Sequence, residues 1–311
     1  MRIVVFGAGA MGGALGARLI EAGHDVMLVD IDRARVSAIN RDGVRLEEDG
    51  SERVVKVPAT AEIAEVGEAE LAIVFVKSQF SGDVARAAKP LAEAGTVFLT
   101  LQNGLGNAEA IAAEVGAAQV LAGVTYDSAI LDDDGLVRLT NKGATYVGEL
   151  EGLASERVDG VIAAFRDAGM DAHPTDDAAG LLWGKALVNC VFNATCAITG
   201  FRSGEIGEFP LALEWAERVA AETASVAAAN GITLPYEDAV ERVRTVAKNA
   251  GASKPSMLQD VEKGRITEVE HINGAVARAG RRVGVPTPYN DALTTLVGMI
   301  DAKNAAARSR P

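Results

Sequence analysis

Apolar positions recur with two different periods along this chain, and the change from one to the other falls at Pro174-Thr-Asp-Asp177. Before it, short β-branched runs alternate with segments of helical spacing. Residues 2–6 form a first strand, residues 13–23 continue at helical period, and Asp25-Val-Met-Leu-Val29 forms a second strand followed by a helix over 34–40. Val44-Arg-Leu-Glu47 and Arg53-Val-Val-Lys-Val57 read as a hairpin whose turn, Glu48-Asp-Gly-Ser51, carries the expected glycine. Leu71-Ala-Ile-Val-Phe-Val76 and Thr96-Val-Phe-Leu-Thr-Leu101 are continuous apolar runs, the pattern of strands buried on both faces of a parallel sheet. Residues 120–129, 137–140 and 144–148 read as later strands, followed by a helix over 155–168 and a short strand over 170–173.

Beyond Pro174 every segment has helical period: 177–199, 210–230, 236–249, 256–263, 267–283 and 288–305. Ser256 with Gln259, and Thr267 with Glu270, fit capping boxes. The first of these helices is the most apolar, and Lys185, Asn189 and Asn193 interrupt it at intervals of four. An α-helix advances about 100° per residue, so the three side chains fall on one stripe. A buried amine and two buried carboxamides cost free energy unless they find partners, either on neighbouring helices or on a ligand.

The first strand runs directly into Gly7-Ala8-Gly9-Ala10-Met11-Gly12 at the start of a helix. In that context the spacing is a dinucleotide fingerprint. Gly7 allows the tight turn, Gly9 lets backbone approach a pyrophosphate, Gly12 lets helix pack on strand, and the helix N-terminus offers its unpaired N–H groups. Asp30, closing the second strand, stands where such folds hold the adenine ribose diol, unless it is only a turn residue. Ligands of open parallel sheets bind beyond the carboxyl ends of the strands, which is where Lys77 and Asn103 lie, with ordinary turn residues as the alternative. The fold class that follows is α/β: an N-terminal Rossmann-type dinucleotide-binding domain over residues 1–174 and an all-helical C-terminal domain over 175–311.

With 49% apolar residues in 311, the chain is globular and long enough for two domains. Its net charge of −13 disfavours nucleic acid and anionic membranes as partners. Lysine and asparagine make the apolar helix a poor membrane span, and the chain enters its first strand without a signal peptide, so a cytoplasmic protein is expected. Cys190 and Cys196 lie in that same helix without metal-ligand company, so reduced core thiols and no metal site are expected. The apolar faces of 210–230 and 288–305 suit either packing within the domain or a homodimer.

Gly7 to Gly12 in front, Lys185-x3-Asn189-Cys-x2-Asn193 in the middle, and Ser256-Met-Leu-Gln-Asp260 with Thr267-Glu-Val-Glu-His-Ile-Asn-Gly274 behind make nearly the whole chain resemble the ketopantoate reductase family. The resemblance implies NAD(P)H-dependent reduction of a small 2-oxo acid, ketopantoate to pantoate, on the route to pantothenate and coenzyme A. It implies that Lys185 is the proton donor and that Asn189 and Asn193 bind substrate. It further implies that Ser256 takes the substrate carboxylate and that Glu268 joins the active site to the cofactor. Lys77, Asn103 at the nicotinamide end, and the backbone of Ala129 are implied cofactor contacts.

Two departures qualify the likeness. Members that use NADPH usually carry an arginine directly after the second strand, whereas Val29-Asp30-Ile-Asp32 stands here with Arg33 and Arg35 further on, which favours NADH. Ser203 and Ser253 stand where the family's substrate-binding positions can hold asparagine, which leaves the identity of the acid open. The residue types suit the reaction, because hydride addition to a ketone leaves an alkoxide that a protonated lysine can both stabilise and protonate. One alternative is a D-2-hydroxyacid dehydrogenase of the same fold acting on a bulkier or more apolar acid. Another is a nucleotide-sensing protein without turnover, against which Lys185, Asn189, Asn193 and Glu268 argue.

Overall fold

The β-branched runs of the first half pair into two sheets. The computed structural model describes residues 1–150, 152 and 155–308. Its strands are β1 (Arg2–Phe6), β2 (Asp25–Val29), β3 (Val44–Glu48), β4 (Ser51–Val55), β5 (Ala59–Thr60), β6 (Leu71–Val74), β7 (Val97–Thr100), β8 (Val120–Thr125), β9 (Ser128–Leu131), β10 (Leu136–Asn141), β11 (Thr145–Glu149) and β12 (Ala172–Pro174). Eight of them form a sheet in the order β12-β11-β8-β7-β6-β1-β2-β5, and four a second sheet in the order β4-β3-β10-β9. From β5 across to β8 all neighbours are parallel, and β11 turns antiparallel to β8. The order reverses between β1 and β6, so the turns leaving these two strands open side by side, the usual ligand crevice of such a sheet.

The helices of this half are α1 (Ala10–Glu21), α2 (Arg33–Asp42), α3 (Ser81–Ala87), α4 (Lys89–Glu93), α5 (Asn107–Val115) and α6 (Glu156–Asp167). Helix α1 touches β2 of the large sheet and β3, β9 and β10 of the small one. Burial from both sheets leaves Gly12 to Leu19 all inside.

In the second half, α7 (Ala178–Thr199), α8 (Glu205–Glu208), α9 (Pro210–Ala229), α10 (Ala239–Asn249), α11 (Ser256–Glu262), α12 (Asn273–Val283) and α13 (Pro288–Arg308) form a helical unit. Leu187, Val191 and Ala194 of α7 share a core with Val219, Val226, Val276 and Val297. Helix α7 is long and apolar enough to cross a membrane, but 67% of its most apolar window is buried inside the protein, as in a core helix. Cys190 and Cys196 are free, buried thiols.

Several elements depart from the expected pattern. The run over 120–129 divides into β8 and β9, which belong to different sheets, because the chain bends at Tyr126-Asp127. The expected helix over 267–283 is a 3-10 turn at Val269–His271 followed by α12. Neither expected capping box forms. Pro255 occupies the N-cap of α11 and Gln259 turns its amide to the Lys254 carbonyl, while Thr267 bonds Asp301 and Glu270 pairs with Arg278. The chain divides into Met1–Gln102 with Asn107–Ala178, and Asn103–Gly106 with Ala179–Pro311, so the boundary lies four residues past Pro174 and the loop after β7 belongs with the helices.

The bend at Asp127 is held by an ion pair that periodicity does not reveal. Arg18 of α1 donates to Asp127 at 3.1 Å and to the carbonyls of Ala168 and Gly169 at 3.1 and 2.7 Å, and both side chains of the pair are 5% exposed. The other carboxylate oxygen of Asp127 accepts the Gly143 N–H at 2.8 Å. Removing one partner of such a pair strands the other charge in a poorly solvated site. Arg18→Met is therefore expected to lower stability by about 3–5 kcal/mol, and Arg18→Met with Asp127→Asn by less. Urea denaturation followed by circular dichroism measures both, and a loss below about 1 kcal/mol for the single variant would mean that the pair is effectively solvated.

Candidate active site

The turn between β1 and α1 is shaped by close backbone contact. Gly7 has φ +100°, and a Cβ there would lie 2.7 Å from the Phe75 carbonyl oxygen in the turn leaving β6. At Gly12 a Cβ would lie 1.8 Å from the carbonyl oxygen of Gly7, so only glycine lets α1 start here. Gly9 differs from both: its φ is −70° and a Cβ would meet nothing within 4 Å. The N-terminus of α1, residues Ala10 and Met11 included, has no side-chain cap and no acidic residue in its first turn. Open space over Gly9 beside an uncapped helix start fits a pyrophosphate.

Asp30 closes this cradle. One of its carboxylate oxygens accepts the Ala8 N–H at 2.7 Å and the other the Asp32 N–H at 2.9 Å. Arg35 donates from Nε to the Ala8 carbonyl at 2.6 Å. Burial lowers the pKa of its guanidinium, while the charges of Asp30 and Asp32 oppose that shift. Arg33 points elsewhere, to Glu62. Asp32 is the N-cap of α2, accepting from Ala34 and Arg35.

Lys77 is half-buried at the start of a 3-10 turn, Ser78–Phe80, just past β6. Behind it lies a polar cluster with no counterpart in the periodicity: buried Gln102 donates to the Val76 carbonyl at 2.6 Å and to Ser81 at 2.9 Å, and accepts from Thr100 at 2.8 Å. That cluster ties together the carboxyl ends of β6 and β7. Ala129 lies within β9, paired with Leu139 in the small sheet, rather than at the end of a large-sheet strand.

In the helical unit, α7 carries Lys185, Asn189 and Asn193 at successive turns. Asn193 is 5% exposed, and the Nδ2 of Asn189 is buried with no hydrogen-bond partner. Desolvation brings the Lys185 amine down to about 8, against the upward pull of the Glu268 carboxylate. Glu268 immediately precedes the turn Val269–His271, where its carbonyl accepts the His271 and Ile272 N–H groups at 2.9 and 3.1 Å.

Loops distant in sequence also meet within the helical unit. The Leu105 N–H donates to the His271 carbonyl at 2.8 Å, and Gly104, with φ +88°, lies so close that a Cβ would be 2.4 Å from the same oxygen. This contact brings the loop that contains Asn103 to the turn that follows Glu268. Ser203 and Ser253 meet through backbone, Ser203 N–H to Ser253 carbonyl at 3.0 Å, with Ser203 buried and Ser253 exposed. Ser256 is exposed as the first residue of α11, and it makes no capping bond.

A buried network supports α7 from behind. Asn273 donates to the Cys190 carbonyl at 3.0 Å and to Asn290 at 2.9 Å, and Asn290 donates to Glu222 at 2.8 Å. Glu222 in turn accepts the Tyr289 and Asn290 N–H groups at the start of α13.

Both units resemble known proteins. The family model described as "Ketopantoate reductase PanE/ApbA" matches residues 3–152, and its C-terminal counterpart matches 177–301. The 2-dehydropantoate 2-reductase of Archaeoglobus fulgidus is 37% identical over 304 residues, covering 97% of this chain and 98% of that one. That of Halobacterium salinarum is 35% identical over 298 residues, covering 96% and 98%. Among solved structures, D-mandelate dehydrogenase with NADH and anilino(oxo)acetate superposes with a TM-score of 0.92 at 29% identity, covering 98% of this chain and all of that one. A PanE/ApbA family ketopantoate reductase from Ralstonia eutropha gives 0.89 at 31% identity, again covering 98% of this chain and all of that one. Since the likeness runs through both units at 35% identity or more, the chain belongs to the ketopantoate reductase family.

Proposed function

We propose that this chain is a cytoplasmic 2-dehydropantoate 2-reductase that uses NADH at the Gly7–Gly12 turn. The observation that carries the reading is the stripe on α7, where an amine brought down to about 8 by burial is followed one turn later by a buried, unpartnered amide at Asn189. A buried amide nitrogen without a partner is costly without a ligand, and a 2-oxo acid offers carbonyl and carboxylate oxygens to accept from it.

A reduced nicotinamide cofactor held at the Gly7–Gly12 turn would supply the hydride for the carbonyl carbon. Lys185 holds the carbonyl oxygen, stabilises the negative charge that develops there and donates a proton from Nζ to complete the alcohol. An amine near 8 is still largely protonated at neutral pH, yet it releases a proton more readily than an ordinary lysine. The carboxylate of Glu268 favours the ammonium form. Asn189 and Asn193 donate to the substrate, the Ser256 hydroxyl takes its carboxylate, and Ser203, Ser253 and Asn103 complete the pocket. Lys77, Asn103, Ala129 and Glu268 serve the cofactor in this reading.

A second reading, a D-2-hydroxyacid dehydrogenase for a bulkier acid, is favoured by the likeness to D-mandelate dehydrogenase and by the small Ser203–Ser253 pair. Comparing kcat/KM for ketopantoate with that for an aryl 2-oxo acid separates the two. Ketopantoate is expected to be the better substrate, and a preference for the aryl acid would reverse the assignment.

Lys185→Ala is expected to lose turnover by a factor of about 10²–10⁴ while retaining cofactor affinity. For the parent, reduction falls as pH rises through the pKa of Lys185, because the acid must start protonated, and oxidation of the hydroxy acid rises over the same interval. In the free enzyme that limb lies near 8, and a bound carboxylate moves it upward. A pH profile of kcat/KM with no limb between about 7 and 10 would remove Lys185 as the acid.

Gly9→Val is expected to fold normally, since its backbone is in an ordinary region and the space over it is open, but to lose dinucleotide binding. A nicotinamide fluorescence titration with unchanged affinity would place the pyrophosphate elsewhere.

The carboxylate of Asp30 accepts from a ribose diol and repels a 2′-phosphate, so NADH is expected to exceed NADPH in kcat/KM by about tenfold or more, equivalent to about 1.4 kcal/mol. Equal efficiencies would mean that Arg35 leaves the Ala8 carbonyl to neutralise the phosphate.

A further inference from the structure

The turn that begins at Glu268 is tied to α7 through a single side chain. Asn273, the first residue of α12, is fully buried, and its Nδ2 donates to the Cys190 carbonyl of α7 at 3.0 Å and to Asn290 Oδ1 at 2.9 Å. A carbonyl oxygen has two lone pairs, so Cys190 can accept this bond beside the one its own helix supplies. Asn290 is held in turn, donating to Glu222 at 2.8 Å and to Thr223 at 3.1 Å. These bonds fix which way the Asn273 amide faces, because a flip would set its oxygen against two other oxygens. Among the described residues nothing bonds that Oδ1, so the side chain sits where its nitrogen is held. From Glu268 to Asn273 the chain has no slack, since the Glu268 carbonyl accepts the N–H groups of both His271 and Ile272.

We propose that Asn273 is a positioning residue for proton transfer: bonded at once to α7 and to Asn290, it sets how far the Glu268 carboxylate stands from the Lys185 amine. The inference rests on the reading of Lys185 as the acid. Cys190 lies five residues beyond Lys185, about 7.5 Å along the helix, and Asn273 lies five beyond Glu268, so one amide joins the two segments close to both groups. The attraction of the carboxylate for the ammonium weakens with distance and with any water admitted between them. Among the described residues, Glu268 is the charged group whose field reaches Lys185, whereas Glu222, behind α7, acts on Cys190, and Glu270 and Arg278 act with Glu268 on His271. Burial holds the His271 imidazole below its ordinary range, so it is neutral while Lys185 titrates. A loosened turn therefore shows itself at Lys185, and the sign is fixed. With the carboxylate further away the ammonium form loses support, its pKa falls, and reduction fails at a lower pH.

The test is kcat/KM for ketopantoate reduction with NADH against pH, in the parent, Asn273→Ala and Asn273→Ser, with melting temperatures alongside. Serine is the milder change, since its hydroxyl keeps one donor for the buried acceptors, but it cannot span both. In each variant the limb is expected to move to lower pH by about 0.5–1 unit, part of the ~1–3 units that an adjacent opposite charge contributes. Turnover should approach the parent's at about pH 6, where the amine is protonated in all three. Val297→Ala hollows the same core without removing a side-chain hydrogen bond, and is expected to lower the melting temperature while leaving the limb in place. An unmoved limb in a folded Asn273 variant of lowered melting temperature, or an equal shift in Val297→Ala, overturns the proposal. A parent with no limb between about 7 and 10 removes Lys185 as the acid, whereas a parent limb that the Asn273 variants leave in place removes only the role of Asn273.

Discussion

Desolvation along α7 is the constraint around which the helical unit is arranged. The helix must be apolar to serve as a core element, and yet it carries an amine and two amides at successive turns. Burial lowers the Lys185 amine to about 8, and the carboxylate of Glu268, 83 positions later in the chain, limits the fall. Without that carboxylate the same burial would favour the neutral amine still more, and in the proposed mechanism the amine must be protonated to serve as the acid. The position of Glu268 therefore matters as much as its charge. Its carbonyl anchors the short turn through His271, and the His271 carbonyl in turn holds the loop that contains Asn103.

A buried polar stripe also needs a helix that does not shift. Asn273, Asn290 and Glu222 supply this by linking α7 to α9 and to the start of α13 through bonds of 2.8–3.0 Å. Glu222 is 9% exposed, and its charge is accommodated because it accepts two backbone N–H groups at a helix N-terminus, where the dipole favours an anion. The first unit uses a different device. Its cradle is kept in place by backbone contacts too close for any side chain, at Gly7 and Gly12, while Gly9 holds space open.

The features legible in the sequence were those with a short period or a fixed spacing. The glycine turn, the strands buried on both faces and the four-residue spacing on α7 all lie within a few residues of one another, so local pattern was sufficient. What was hidden depends on partners far along the chain. The bend at Asp127 interrupts a run that is apolar enough to be one strand, and its cause is Arg18, 109 positions earlier. Thr267 and Glu270 have the spacing of a capping box, but Asp301 and Arg278 offer them better partners, and the helix begins only at Asn273. The transfer of residues 103–106 to the helical unit rests on the bond between the Leu105 N–H and the His271 carbonyl, and a backbone bond leaves no trace in residue type.

The same distinction bears on substrate choice. In the proposed reading the groups on α7 address the carbonyl and carboxyl that every 2-oxo acid shares, so they bear on the reaction class and not on the acid. Discrimination among acids has to come from contacts with the remaining part of the molecule. In this reading those contacts fall to the loops around Ser203 and Ser253, which are joined by backbone bonds and therefore present their side chains on a fixed frame. Serine reaches less far than the asparagine that can occupy these positions in the family, and where a side chain retreats from a pocket a larger or more apolar substrate can enter. Likeness to ketopantoate reductases and likeness to D-mandelate dehydrogenase, each through nearly the whole chain, are thus compatible, because two enzymes can share a frame and differ in the contacts that select the acid.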